Sequence, residues 1–88
     1  MTQPTITVYM AGWCPYCQRA IALLKGKNLA FTPIDVDDDA KFRQEMLARS
    51  GRRTVPQIFI GDKHIGGCDD LVALDGSGAL DRLIEGDR

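Results

Sequence analysis

Eighty-eight residues, 44% of them apolar and 26% charged, leave room for one small globular domain and exclude a second domain, a disordered chain or a low-complexity repeat. Eleven Lys and Arg against twelve Asp and Glu give a net charge of −1, which argues against a nucleic-acid or membrane-surface binder, since such proteins carry a basic excess. No apolar run approaches the ~20 residues of a bilayer span. Met1-Thr2-Gln3-Pro4 lacks the basic and apolar regions of a secretory leader, and three cysteines are an odd number for a disulfide framework, so the expected compartment is the cytoplasm.

Thr5 to Met10 alternates and is rich in β-branched and aromatic residues, which predicts a first strand just after Pro4. Ala11-Gly12-Trp13 then leads into Cys14-Pro15-Tyr16-Cys17. From Pro15 the period changes: Cys17, Ala20, Ile21 and Leu24 fall at i, i+3, i+4 and i+7, with Gln18, Arg19 and Lys25 on the other side, the pattern of an amphipathic helix. Proline in the first turn sacrifices no hydrogen bond, and Gly26 is placed to end the helix. Phe31 to Val36 reads as a second strand, confined by Pro33 to an edge or a strand entrance.

Asp37-Asp38-Asp39 reads as a loop running into the N-cap of a helix over 40–50, with Phe42, Met46 and Ser50 on one face and Gly51 as the stop. Metal binding by the acidic run is the alternative. Val55 to Ile60 is strand-like, Gly61-Asp62 is a two-residue turn, and Lys63-His64-Ile65 is the hairpin partner. After Gly66-Gly67, Asp69 is placed to cap a last helix bearing Leu71, Val72 and Leu74, which Asp75-Gly76-Ser77-Gly78 interrupts before a final turn or two with Leu80, Leu83 and Ile84. The order β-α-β-α-β-β-α predicts an α/β fold. Helices between the first three strands permit parallel crossovers and the hairpin adds an antiparallel edge, giving a mixed four-stranded sheet flanked by three helices.

A C-x-x-C where a strand ends and a helix begins suits thiol–disulfide exchange. Cys14 would stand at the helix N-terminus, where free N–H groups and the helix dipole favour a thiolate, and Cys17, one turn on, can approach its sulfur. Cys14 is then the nucleophile and Cys17 the resolving thiol. A low-pKa sulfur gains little as an attacking group, because nucleophilicity falls with basicity, but it is a good leaving group when a second thiol attacks a mixed disulfide on Cys14. The competing reading is a Cys3His zinc site from Cys14, Cys17, His64 and Cys68. Taken alone, Cys68 reads equally as a small buried residue or a third redox thiol, and His64 as a hairpin residue.

Three motifs together resemble the glutaredoxins: Cys14-Pro15-Tyr16-Cys17, the Thr54-Val55-Pro56 segment followed by Gln57-Ile58-Phe59-Ile60, and Gly66-Gly67-Cys68-Asp69-Asp70-Leu71. The likeness runs in order from about Thr5 to Ile84, and is strongest to the small bacterial dithiol members. It implies a thioredoxin fold and a glutathione-dependent oxidoreductase that reduces protein–glutathione mixed disulfides and protein disulfides. It also implies glutathione as the reducing co-substrate, no bound cofactor or metal, no nucleic-acid or membrane partner, and a monomer.

By the same resemblance Pro56 is cis, and the Val55 backbone pairs with the cysteinyl part of glutathione in β-fashion. Arg43 would hold the glycine carboxylate, while Gly67 and Cys68 offer N–H groups to the γ-glutamyl carboxylate. Asp69, with Asp70, would receive the ammonium, and Tyr16 and Thr54 line the groove. Read without the resemblance, Arg43, Arg49, Arg52 and Arg53 form a solvated basic face and Asp69 is a plain cap. The chain departs from the family at Ala11, where a lysine is common, and at Trp13, which is thioredoxin-like. The rival readings are a reductant recharged by thioredoxin reductase and, from another class, an iron–sulfur or zinc binding module.

Overall fold

The computed structural model describes residues 4–85. Its elements in chain order are β1 (Ile6–Met10), α1 (Pro15–Gly26), β2 (Thr32–Asp35), α2 (Ala40–Ser50), β3 (Gln57–Ile60), β4 (Lys63–Gly66), α3 (Cys68–Gly76) and α4 (Ala79–Glu85). The sheet order is β2-β1-β3-β4. β2 runs parallel to β1, whereas β3 is antiparallel to β1 and β4 antiparallel to β3. Parallel pairing therefore stops at two strands, short of the three that the helix spacing permits. The chain leaving α2 re-enters the sheet at the end where β1 stops, with Gln57 opposite Tyr9, and that reversal sets the start of β3 beside the residues that follow β1.

Strand alternation sorts the core into two layers. Ile6 and Val8 of β1 and Ile58 and Ile60 of β3 pack with Ala20 and Leu24 of α1, Cys68 and Leu71 of α3, and Leu80 of α4. Tyr9 and Phe59 face the other way and pack with Met46 of α2, together with Ala11, Cys14, Cys17 and Val36. Helix α2 is thus alone on its face of the sheet, as expected of a chain in which Met46 is its one fully buried side chain.

The helix limits follow from local chemistry. Pro15 opens α1 and Lys27 closes it, its N–H reaching Leu23 and Leu24 carbonyls at 3.2 Å. Asp39 caps α2 by accepting from the Lys41 N–H at 2.9 Å, and Gly51, at φ 72°, ends it in the left-handed conformation with its N–H on the Leu47 carbonyl. The expected break in the last helix is complete, so the sheet is flanked by four helices and not three. Ser77 turns its hydroxyl back to the Leu74 carbonyl at 2.9 Å and Gly78 takes φ 82°, which ends α3 before α4 can continue its ladder. Lys27 then ties the three helices of that layer together, its Nζ 2.8 Å from Asp75 and 3.0 Å from Asp81.

Three strands are shorter than the sequence suggests, β1 by Thr5 alone. β2 keeps only the four residues opposite Thr7–Met10, on an edge where the missing N–H of Pro33 costs nothing. β3 begins at Gln57 and not at Val55, because Pro56 has no ladder donor and the Val55–Pro56 bond is cis. Among the described residues no helix is long and apolar enough to cross a membrane.

Candidate active site

Cys14 is the N-cap of α1, and its sulfur accepts the Cys17 N–H at 3.2 Å. A helix start leaves such N–H groups without intrahelical partners, so the fold aims a donor at this sulfur and provides a ready partner for any negative charge there. Cys14 Sγ also lies 3.7 Å from the Val55 carbonyl oxygen, across the gap that the reversal of β3 closes. Both cysteines are unbridged and buried, Cys14 at 4% exposure and Cys17 at 0%. Burial, and next the hydrogen bond with Cys14, push the Cys17 thiol up to about 12. Cys17 is therefore held protonated.

Beside the pair runs an open groove of about 190 Å³, lined by Tyr16, Arg52, Thr54, Val55, Pro56, Gln57, Gly67, Cys68, Asp69 and Asp70. Three separate sequence motifs thus meet on one surface. Tyr16 is 55% exposed and carries the Arg19 guanidinium 5.9 Å from its ring centre. Gly67 brings α3 close to the cis bond: a Cβ there would sit 3.5 Å from the Pro56 carbonyl oxygen. Helix α3 starts at Cys68, and Cys68 and Asp69 of its first turn line this groove. Cys68 is buried at 4%, and desolvation raises its thiol pKa.

Two assignments made from the sequence change. The N-cap of α3 is Gly67 and not Asp69; the acceptor is Asp70, whose Oδ2 takes the Gly67 N–H at 2.9 Å. Asp69 is left exposed on the groove without that duty. Arg43 is not among the groove residues. Its Nη2 lies 2.6 Å from Asp37 Oδ1, and it lines a neighbouring hollow with Ala40, Gln44, Leu47 and Arg53. Asp37 also accepts from Trp13 Nε1 at 2.8 Å, and the indole N–H first, then Arg43, hold its carboxyl below the usual range. The acidic run therefore consists of a cap and a clamp. His64 does not approach the cysteines as a fourth ligand would; among the described residues no three His, Cys, Asp or Glu side chains cluster as metal ligands do.

Arg52 and Gln57 were not foreseen in the groove. Arg52 stands 3.6 Å from Asp70, a pairing across 18 positions that no local pattern announces. Gln57 did carry a signal: it is the one polar residue in the Gln57-Ile58-Phe59-Ile60 strand, buried to 1%, and a buried amide has to find partners.

Comparison with known proteins agrees with this geometry. The family model described as Glutaredoxin matches residues 6–65. The chain is 54% identical over 80 residues to Glutaredoxin 3 of Escherichia coli strain K12, covering 91% of this chain and 96% of that protein. Among solved structures it resembles the glutaredoxin of Brucella melitensis, with a TM-score of 0.85 and 46% identity over 100% of this chain and 96% of that one. A buckwheat glutaredoxin–glutathione complex aligns with a TM-score of 0.84 and 31% identity over 94% of this chain and 77% of that one.

Proposed function

Because the chain belongs to the glutaredoxin family, and is accordingly a glutathione-dependent thiol–disulfide oxidoreductase, we propose that Cys14 is its nucleophile, Cys17 its resolving thiol, and the groove its glutathione site. The observation that carries this assignment is the Cys17 N–H that meets the Cys14 sulfur at the start of α1, while the Cys17 thiol is itself held protonated.

In the first half-reaction the Cys14 thiolate attacks the glutathione sulfur of a protein–glutathione mixed disulfide. A Cys14–glutathione S–S bond forms, the protein–glutathione S–S bond breaks, and the electron pair leaves on the protein sulfur, which takes up a proton. A second glutathione thiolate then attacks the glutathione sulfur on Cys14, releasing oxidised glutathione and restoring the Cys14 thiolate. With a protein disulfide, Cys14 attacks one sulfur and Cys17, losing its proton, displaces the substrate's remaining thiolate from Cys14. Two glutathiones then reduce the Cys14–Cys17 disulfide.

Glutathione has two carboxylates and one ammonium, and the groove supplies matching chemistry. The N–H groups at the start of α3 suit the γ-glutamyl carboxylate, exposed Asp69 suits the ammonium, and Arg52 adds a cation at the rim. Residues 54–56 lie outside the sheet ladder, so the Val55 backbone is open to strand-like pairing with the cysteinyl part. A relative solved in complex with glutathione supports glutathione as the ligand. A dithiol recharged in this way works where the glutathione pool is reduced, which points to the cytoplasm.

The test is turnover of a glutathionylated peptide with glutathione and glutathione reductase. Cys14→Ser should lose all activity, while Cys17→Ser should retain deglutathionylation and lose reduction of protein disulfides. Full activity in Cys14→Ser would overturn the assignment, and recharging by thioredoxin reductase alone would move the protein to the rival class.

A further inference from the structure

Thr54 and Val55 must hold a fixed position against Cys14, yet they lie before the first ladder residue of β3, so no neighbouring strand positions them. A side chain does this instead. Gln57 Nε2 donates to the Thr54 carbonyl oxygen at 3.0 Å and to Thr54 Oγ1 at 3.2 Å. Since a carbonyl only accepts, the NH2 end of the amide faces Thr54 and Oε1 faces the other way, toward His64 Nε2 at 2.7 Å. That nitrogen must therefore carry a proton, in the neutral ring as in the cation. The ring also packs on Phe59, tilted by 32° with centroids 4.9 Å apart.

We propose that Gln57 and His64 form a strut that positions the Thr54–Val55 segment for substrate, making His64, the one histidine of the chain, a positioning residue for the reaction although it touches neither cysteine. The inference rests on the reading that Thr54 and Val55 receive the glutathione moiety. Each link is a half-buried hydrogen bond. Gln57 has no third partner to turn to, because both its amide hydrogens and its oxygen are engaged. The strut reaches the groove from β4, the edge strand, and so couples the hairpin to the binding segment.

The experiment measures steady-state kinetics on a glutathionylated peptide for His64→Leu, Gln57→Leu, the double variant and His64→Gln, beside thermal melts of each. Removing either end of the strut should raise KM by about three- to tenfold, the scale of one buried hydrogen bond, with kcat changed by less than about twofold. His64→Gln places an N–H donor near the former Nε2 and should restore KM, and the double variant should be no worse than the poorer single one, because the two residues act in series. Gln57→Glu is isosteric, keeps the acceptor for His64 and removes both donors to Thr54. It should raise KM even if the leucine variants fail to fold. An unchanged KM in His64→Leu with only a lowered melting temperature, an unchanged KM in Gln57→Glu, or additive effects in the double variant would each overturn the strut. Failure of the wild-type protein to turn over the glutathionylated peptide while still reducing other disulfides would instead overturn the glutathione reading beneath it.

Discussion

The proposed division of labour between Cys14 and Cys17 can be tested without any substrate, because Cys17 has 0% exposure and is pushed up to about 12. At pH 7 such a thiol is roughly 10⁻⁵ thiolate, against roughly 3% for a free cysteine of pKa ~8.5. The deficit is about 3,000-fold. The more basic sulfur is also the better nucleophile, and a Brønsted slope of ~0.45 recovers about 40-fold. Cys17 should therefore react with iodoacetamide roughly 80-fold more slowly than an unhindered cysteine peptide in the same tube, and more slowly still where burial blocks the reagent. Peptide mapping by mass spectrometry at early times, on the fully reduced protein, reads each cysteine separately. Between pH 7 and 10 the rate at Cys17 should climb about tenfold per pH unit without levelling off. A plateau below pH ~10, or labelling of Cys17 as fast as the reference peptide, would refute the assignment of Cys17 as the thiol that waits.

Asp70→Ala removes the acceptor for the Gly67 N–H and should cost about 0.5–2 kcal/mol in urea unfolding, whereas Asp69→Ala should leave stability near wild type and raise KM for glutathionylated peptide; the reverse pattern would return the cap to Asp69. Gly66→Ala places a Cβ against the Asp70 carboxylate at a φ of 118° and should lose roughly 1–3 kcal/mol by thermal melt, with no loss meaning that the turn into α3 is softer than it looks. Burial, and next the Arg52 charge, hold His64 below its usual value, with Asp70 opposing, so the unfolded chain takes up this proton first as pH falls. Stability contributed by the neutral ring should accordingly be present above about pH 6.5 and decline as pH drops through the lower folded value. His64→Gln should flatten that part of the melting-temperature profile, and a parallel profile would refute it.

Much of the site was legible because its pieces are local. The C-x-x-C at a strand-to-helix junction, the change of period at Pro15, and Gly26 and Gly51 as stops are each written within a few residues, and the structure places Cys14 and Cys17 accordingly. The pairing of β3 was less legible. Helix spacing allows a strand to return in either direction, and the alternation that sends Ile58 to the Leu71 layer and Phe59 to the Met46 layer is the same in both, so the residues of the strand do not announce its direction. The cap of α3 was misplaced by two positions because Asp69 and Asp70 are adjacent acids, and only backbone direction at Gly67 decides which carboxylate can reach back. The Gln57–His64 bond was invisible for a different reason: its two residues lie on opposite arms of a hairpin with an irregular register between Ile58 and Phe59, so counting across the turn does not bring them together.

The same limit explains Arg43, and it links two features that look unrelated in the sequence. Trp13 directly precedes Cys14, the proposed nucleophile, while the resemblance to glutaredoxins would give Arg43 a ligand carboxylate. In the fold both bind Asp37, the indole N–H at 2.8 Å and the guanidinium at 2.6 Å. A carboxylate arriving at Arg43 therefore competes with one already there, in a site exposed enough for water to screen the exchange. Trp13 sharpens the competition by keeping Asp37 ionised and in place. The cation that stands free of this clamp and within the groove is Arg52, whose only acidic neighbour is Asp70 at 3.6 Å among the described residues. On the reading that the groove takes glutathione, its anion contacts would fall to Arg52 and the start of α3, which line it, and not to Arg43, which lies outside it and is engaged by Asp37.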